Sequence, residues 1–335
     1  MSFLFPSATI TFEAALRDLR QGSPKARAFA AHALGGVTDP AERRRAAEAL
    51  MGALDDDRPE VRAEACAALG ELREVMAIAA LAKRLTDGTA PVRQCAAIAL
   101  GSLGELARGA GFDALVETLR EGPADARFQA ATSLAEIDAA AAYGPICGAL
   151  SDRDPQVVGA AALSLGAIGD RRAVPLLLDK LNHEDAGTRF DVAYGLAELG
   201  QTAGREILAA ALVDAERAWD AVTALALLEP PELALLRGAL TNKKVSPEAT
   251  VLAAGAILRR EPGDEPARRV LLAALAARKV HVRGLAVEQL EDVGGSWAVM
   301  PLEKLARGGK GAELVEAIGA ALRKIDERKR EEDDA

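Results

Sequence analysis

One phrase returns along this chain at a nearly constant interval, and that limits what it can fold into more than any other feature. It reads Pro59-Glu-Val-Arg-Ala-Glu-Ala-Cys-Ala-Ala-Leu-Gly70, then Pro91-Val-Arg-Gln-Cys-Ala-Ala-Ile-Ala-Leu-Gly101, then Pro155-Gln-Val-Val-Gly-Ala-Ala-Ala-Leu-Ser-Leu-Gly166. Looser copies follow at Thr188–Leu196 and Val282–Leu290, and degenerate ones begin near Ala26, Ala126, Ala218, Ala249 and Leu314. Aligned on the residue after the β-branched or small one, the copies fall at 27, 62, 93, 127, 158, 189, 219, 250, 283 and 315, in steps of about 30 to 35 residues. That is room for two short helices and two turns. A unit of this size cannot bury its apolar face alone and must stack on the next copy.

The local pattern fills in the unit. Val92, Ala96 and Leu100 recur at i, i+4, i+8, widened by Ala99 and Leu103, as one face of a first helix. Leu115, Val116 and Leu119, and likewise Val174, Leu177, Leu178 and Leu181, predict second helices. Asp39-Pro40-Ala41-Glu42 predicts a capped helix start, and Gly35, Gly70, Gly104, Gly169 and Gly200 are read as helix stops. Pro175 and Pro301 are placed in first turns of second helices. No alternating β-branched segment competes. The fold class expected is all-α: an α-solenoid, or superhelix, of about ten helix pairs and about twenty helices. The expected divisions are an N-terminal arm and capping helix over 1–23, the solenoid over 24–325 and a charged tail over 326–335. Phe3, Leu4, Phe5, Ile10 and Phe12 make the arm apolar, as a cap on the first repeat requires.

Composition agrees. Half the residues are hydrophobic but only 3% aromatic, as suits close-packed helices without a deep core. A net charge of −9 argues against affinity for nucleic acid or an anionic membrane. Arg well above Lys, with abundant Ala, points to a GC-rich bacterial genome. Cys66, Cys95 and Cys147 have no metal-ligand spacing, and Met1–Pro6 lacks the basic region and apolar run of a secretory signal. The expected location is the cytoplasm.

The phrase Pro-x-Val-Arg-x-x-Ala-x-x-Ala-Leu-Gly, closed by Asp-rich turns, resembles the bacterial HEAT repeat, in particular the subclass named after phycobilin lyases. The resemblance covers roughly residues 24–325. It implies that first helices form a convex face and second helices a concave one, and that the concave face carries partners.

Chemical candidates are few. The recurrent Arg27, Arg62, Arg93, Arg127, Arg189 and Arg283 sit near Asp55-Asp56-Asp57, Asp87 and Asp152, so pairing between repeats is expected rather than an anion-binding ladder. HEAT-like iron hydroxylases use several His-Glu pairs; this chain, with His32, His183 and His281, has only His183-Glu184. HExxH, GxSxG and Walker motifs are lacking, and Gly308-Gly309-Lys310-Gly311 reads as a turn. No cofactor or metal is expected, and the chain is expected not to be an enzyme. A basic-leaning stretch over 237–283, with Trp219 and Trp297, is read first as a solvated face, next as a site for an acidic protein partner and last as a DNA site.

On the second helices, small pairs at Gly148-Ala149, Ala210-Ala211, Gly238-Ala239 and Ala273-Ala274 alternate with charged pairs. These predict a groove with a smooth floor and charged edges, suited to a helix or extended peptide of another protein. The partner-binding residues expected are Lys83, Arg84, Glu117, Asp179, Lys180, Trp297, Glu303 and Lys304. The function expected is a non-catalytic protein-binding scaffold or adaptor. The alternatives are a phycobilin-lyase-like enzyme subunit and, less favoured, a HEAT-like DNA glycosylase.

Overall fold

A computed structural model describes residues 10–228 and 230–333; Phe3, Leu4 and Phe5 of the apolar arm lie outside them. Among the described residues there are twenty α-helices joined by turns and short 3-10 segments, and no strand. The chain divides into two compact units, residues 1–191 and 192–335.

Unit 1 opens with α1 (Phe12–Gln21), which packs on α2 (Pro24–Gly35). The first helices α2, α4 (Pro59–Leu72), α6 (Ala90–Ser102), α8 (Ala124–Ile137) and α10 (Pro155–Ile168) stack on one another in chain order. The second helices α3 (Pro40–Ala53), α5 (Ile78–Arg84), α7 (Ala110–Glu121), α9 (Ala139–Ala149) and α11 (Val174–Lys180) alternate with them along the chain, and the first four pack on the first helix that follows. Helix α12 (Ala186–Glu198) contains the boundary between the units. In unit 2 the first helices are α14 (Ala218–Leu227), α16 (Pro247–Arg260), α18 (Val280–Val293) and α20 (Val315–Asp333). Their second-helix counterparts are α13 (Arg205–Ala211), α15 (Leu233–Thr241), α17 (Glu265–Ala274) and α19 (Ser296–Arg307). Each unit is thus a solenoid-type stack of helix pairs.

The predicted stripes form the interior. Val92, Ala96, Leu100, Leu103 and Leu115 are fully buried, and burying one such leucine contributes about 2 kcal/mol. The second-helix stripes are less complete: Leu177 is buried, Val116, Val174 and Leu181 are partly buried, and Leu178 faces outward, 41% exposed. Ala65, Ala96, Ala130 and Ala161 on the first helices have no exposed surface, and small residues of this kind let neighbouring helices approach closely.

Several glycines stop helices, as their sequence positions predict, but two do other work. Gly104, Gly169 and Gly200 adopt positive φ. Gly35 and Gly70 lie inside their helices instead. A Cβ on Gly70 would stand 2.9 Å from the Cα of Ala99 on the neighbouring first helix, so the residue is small to let two backbones meet. The left-handed cap of α4 falls on Arg73, at φ 52°. Pro301 also departs from expectation. Helix α19 begins at Ser296, so this proline is inside the helix, whereas Pro175 does occupy the first turn of α11.

The recurrent arginines tie each repeat to the next. Arg27 holds Asp56 through Nε and Nη2, both at 2.7 Å; Arg62 holds Asp87 at 2.9 and 2.9 Å. Arg93 holds Asp125 at 3.0 and 2.9 Å, and Arg127 holds Asp152 at 2.8 and 2.7 Å. The third nitrogen of each fork turns back. Nη1 of Arg62 donates to the Asp56 carbonyl at 2.9 Å, and Nη1 of Arg93 to the Asp87 carbonyl at 2.7 Å. An aspartate therefore takes one arginine on its side chain and the next on its backbone, and the rungs join into a ladder. Both partners of the Arg62–Asp87 rung are largely shielded, with side-chain exposures of 15% and 5%, so its bidentate bonds escape most solvent screening.

The Arg62 guanidinium holds the Asp87 carboxyl down at about 2 against the opposing effect of burial. A depressed folded-state value stabilises the fold fully above the unfolded value near 4 and loses that contribution as pH falls toward 2. Asp87→Asn is expected to cost about 2 kcal/mol in urea unfolding at neutral pH, with the gap to wild type closing as pH drops through this window. Gly70→Ala gains helix propensity yet drives a methyl into the α6 backbone, so a net loss of about 1–3 kcal/mol is expected in the same assay.

Candidate functional site

The residues predicted to contact a partner all lie on second helices. The eight residues predicted there fall into distinct settings. Lys83, on α5, is exposed, but Arg84 beside it turns inward. Its Nη1 donates to the Leu54 carbonyl at 3.1 Å and its Nη2 pairs with Asp55 at 3.2 Å. Arg84 thus fastens α5 to the end of α3. Glu117 is exposed on α7 and lines a groove of about 400 Å³ with Ala82, Thr86 and Glu121. Asp179 and Lys180 lie next to each other on α11, with Nζ 3.9 Å from Oδ2.

One concavity lies in unit 2, between α17 and α19. It is a cleft of about 900 Å³ walled by Leu272, Leu275, Met300, Pro301 and Leu305 and closed at one end by Gly308. Glu303, Lys304 and Arg307 ring it, and Arg307 donates to Glu303 at 3.0 Å. Of the predicted residues, Glu303 and Lys304 are brought together here. Trp297 stands at the start of α19, with the Arg268 guanidinium 5.3 Å from its ring centre. Met300, 79% exposed, was missed by sequence reasoning. The available signal was a second apolar column on α17: Leu272, Leu275 and Ala276 run beside the core residue Leu271 at helical spacing.

Among the predicted small pairs, a Cβ built on Gly148 or Gly238 would meet nothing within 4 Å, so these positions do face open space. Three arginines of the basic-leaning stretch are tied up in the fold. Arg237 pairs with Glu261 and Asp264, Arg259 with Asp292, and Arg268 with Glu265 and the Pro262 carbonyl.

Other chemistry is sparse. Burial pushes the Cys66 thiol up to about 12, which makes it a core residue rather than a nucleophile. Burial likewise raises the carboxyls of Glu64, Glu136 and Glu198, all on first helices. Among the described residues no three His, Cys, Asp or Glu side chains gather as a metal site, and no helix is long and apolar enough to cross a membrane.

Comparison with known proteins bears on fold and family. The family description "HEAT repeats" matches residues 13–101, 112–185 and 149–229. The chain is similar to the solved complex of CpcE and CpcF of phycocyanin lyase from Nostoc sp. PCC7120, at 24% identity and a TM-score of 0.43, over 81% of this chain and 97% of that one. It is similar to yeast importin-beta at 14% identity and a TM-score of 0.64, covering 92% of this chain and 50% of that one. Computationally designed armadillo repeat proteins for modular peptide recognition match at 19% identity and a TM-score of 0.38, over 56% and 99%. No curated protein matches the chain. The importin-beta likeness shows the solenoid fold.

One expectation is corrected by these findings. The lack of catalytic motifs predicts a chain that is not an enzyme, yet a structure bearing the name of a lyase is among those it resembles. A site assembled from several stacked helices leaves no contiguous motif, so motif searching does not exclude catalysis in a fold of this kind.

The assignment of Arg84 to the scaffold has a direct consequence. Arg84→Ala is expected to lower stability by about 1 kcal/mol, because the Leu54 carbonyl and Asp55 lose a shielded donor. Thermal unfolding of the variant measures it; an unchanged midpoint would return Arg84 to the candidate partner-binding residues.

Proposed function

Since the chain belongs to the HEAT-repeat family, we propose that it is a protein-binding scaffold that seats a helix or extended peptide of a partner protein against its second helices. The observation that carries this reading is the α17–α19 cleft, with an apolar floor, a ring of Glu303, Lys304 and Arg307, and Met300 standing 79% exposed at its mouth. An exposed methionine beside aliphatic walls is an adaptable contact for an apolar anchor, while charged rims set orientation more than affinity.

In the working picture α1, packed on α2, caps the first repeat of unit 1. Unit 1 carries a second-helix face of its own, with Lys83, Glu117, Asp179 and Lys180, on the side that the resemblance to phycobilin-lyase-type repeats assigns as concave. A bacterial cytoplasmic setting accords with three cysteines that remain free thiols.

The test uses the intact protein as bait and two exposed variants, Met300→Asp and Lys304→Glu. A partner protein captured by wild type is expected to bind Met300→Asp at least about tenfold more weakly, with a smaller loss for Lys304→Glu. Equal capture by all three would sink the role given to the cleft. A shift in the absorption of an added bilin, with no protein captured, would move the reading to a phycobilin-lyase type.

A further inference from the structure

The ladder of unit 1 has no acidic half in the later repeats of unit 2. In unit 1 the turns leading into first helices carry Asp56, Asp87, Asp152 and Asp185. From residue 242 onward the corresponding turns read Asn242-Lys243-Lys244, Ala277-Arg278-Lys279 and Gly308-Gly309-Lys310-Gly311. The arginine column persists at Arg283, which is only 7% exposed. Its Nη1 still donates to the turn carbonyls of Ala277 and Arg278, at 3.0 and 2.9 Å, as its counterparts in unit 1 do. Its Nε has no acceptor, and Nε is the atom that takes the aspartate in all four rungs of unit 1. A buried donor left unmet is costly, and here the unmet bond is the one the ladder pattern assigns to a carboxylate.

A second observation lies one repeat earlier. Thr250 stands in the arginine column and Ala277 in the aspartate position, so both halves of that rung are gone. A cavity of about 380 Å³ is found there, bordered by Asn242, Lys243, Thr250, Ala274, Ala277 and Val282. Lys243, Lys244 and Arg278 are exposed beside it, and no ion pair engages them among the described residues. Lys279 is shared with Glu248, at 3.6 Å, which also takes His281 at 2.7 Å and is the one acid paired along this edge.

We propose that this turn edge of unit 2 binds an acidic peptide segment of a partner protein, whose carboxylates occupy the positions that ladder aspartates fill in unit 1. Successive cationic turns, one repeat apart, offer a peptide regularly spaced acceptor sites. The fork of Arg283 selects a planar carboxylate over a diffuse negative field. Nucleic acid fits less well: no aromatic side chain borders the cavity for a base to stack on. The edge uses Ala274 and Ala277 of the α17 end, whereas the α17–α19 cleft uses Leu272 and Leu275, so the two surfaces are separable by mutation.

Fluorescence anisotropy of a labelled oligoglutamate peptide with the intact protein tests the proposal. Saturable binding is expected at about 50 mM salt and its loss near 500 mM. The exposed triple variant Lys243→Glu, Lys244→Glu, Arg278→Glu is expected to weaken binding at least about tenfold, and Met300→Asp to leave it unchanged. Arg283→Lys keeps the charge but loses the fork, and is expected to weaken binding several-fold; if that variant fails to fold, the triple variant decides. No saturable binding at low salt, or a triple variant that binds as wild type does, would overturn the inference. So would tighter binding of a single-stranded oligonucleotide than of the peptide.

Discussion

Everything in this protein depends on the fact that one helix pair is too thin to hide its own apolar face. Val92 and Leu100 on one side of α6, and the alanines on its other sides, are buried only because α4 and α8 flank it. Side-chain size follows from that. First helices meet at alanines and glycines so that their backbones come close, and leucines of both helices of each pair fill the space between layers. A fold made this way needs few rings, which explains an aromatic content of 3% beside a hydrophobic content of one half.

The ladder adds direction to this packing. Apolar contact alone would tolerate a slip of one helix along another. A fork that must reach a carboxylate in the following turn and a carbonyl in its own turn tolerates very little. The ion pairs are thus better understood as fixing register than as a reservoir of stability, since desolvating both partners offsets much of their attraction.

The fold was legible because its signal is periodic. Ten weak copies of one phrase reinforce one another, and the expected inter-repeat pairing appears at Arg27, Arg62, Arg93 and Arg127. The details that misread are those where one residue type serves two purposes. Gly70 looks like a helix stop because the sequence shows only that it is small, not which neighbour requires it to be. Pro301 looks like a first-turn residue because the start of α19 carries no capping side chain. The candidate site was harder for a related reason. Which face of a second helix is left uncovered depends on the neighbouring pair, so Glu303 and Lys304 could be placed at a cleft while Met300 could not, and Arg84 was assigned to recognition although it braces the stack. The match to the family ends at residue 229, just before the turns in which aspartate gives way to Asn242-Lys243-Lys244 and Ala277-Arg278-Lys279.

The rungs also bear on how such a chain can change length. Every guanidinium in the ladder reaches forward by one repeat into an equivalent turn. Excising one whole repeat between Arg27 and Asp87 would therefore bring those two residues into the same relation that Arg27 and Asp56 hold now. An excision of any other size would strand a cation in a dry crossing. An array wired this way can shorten or grow by duplication in whole repeats with its seams intact, and is barred from intermediate lengths.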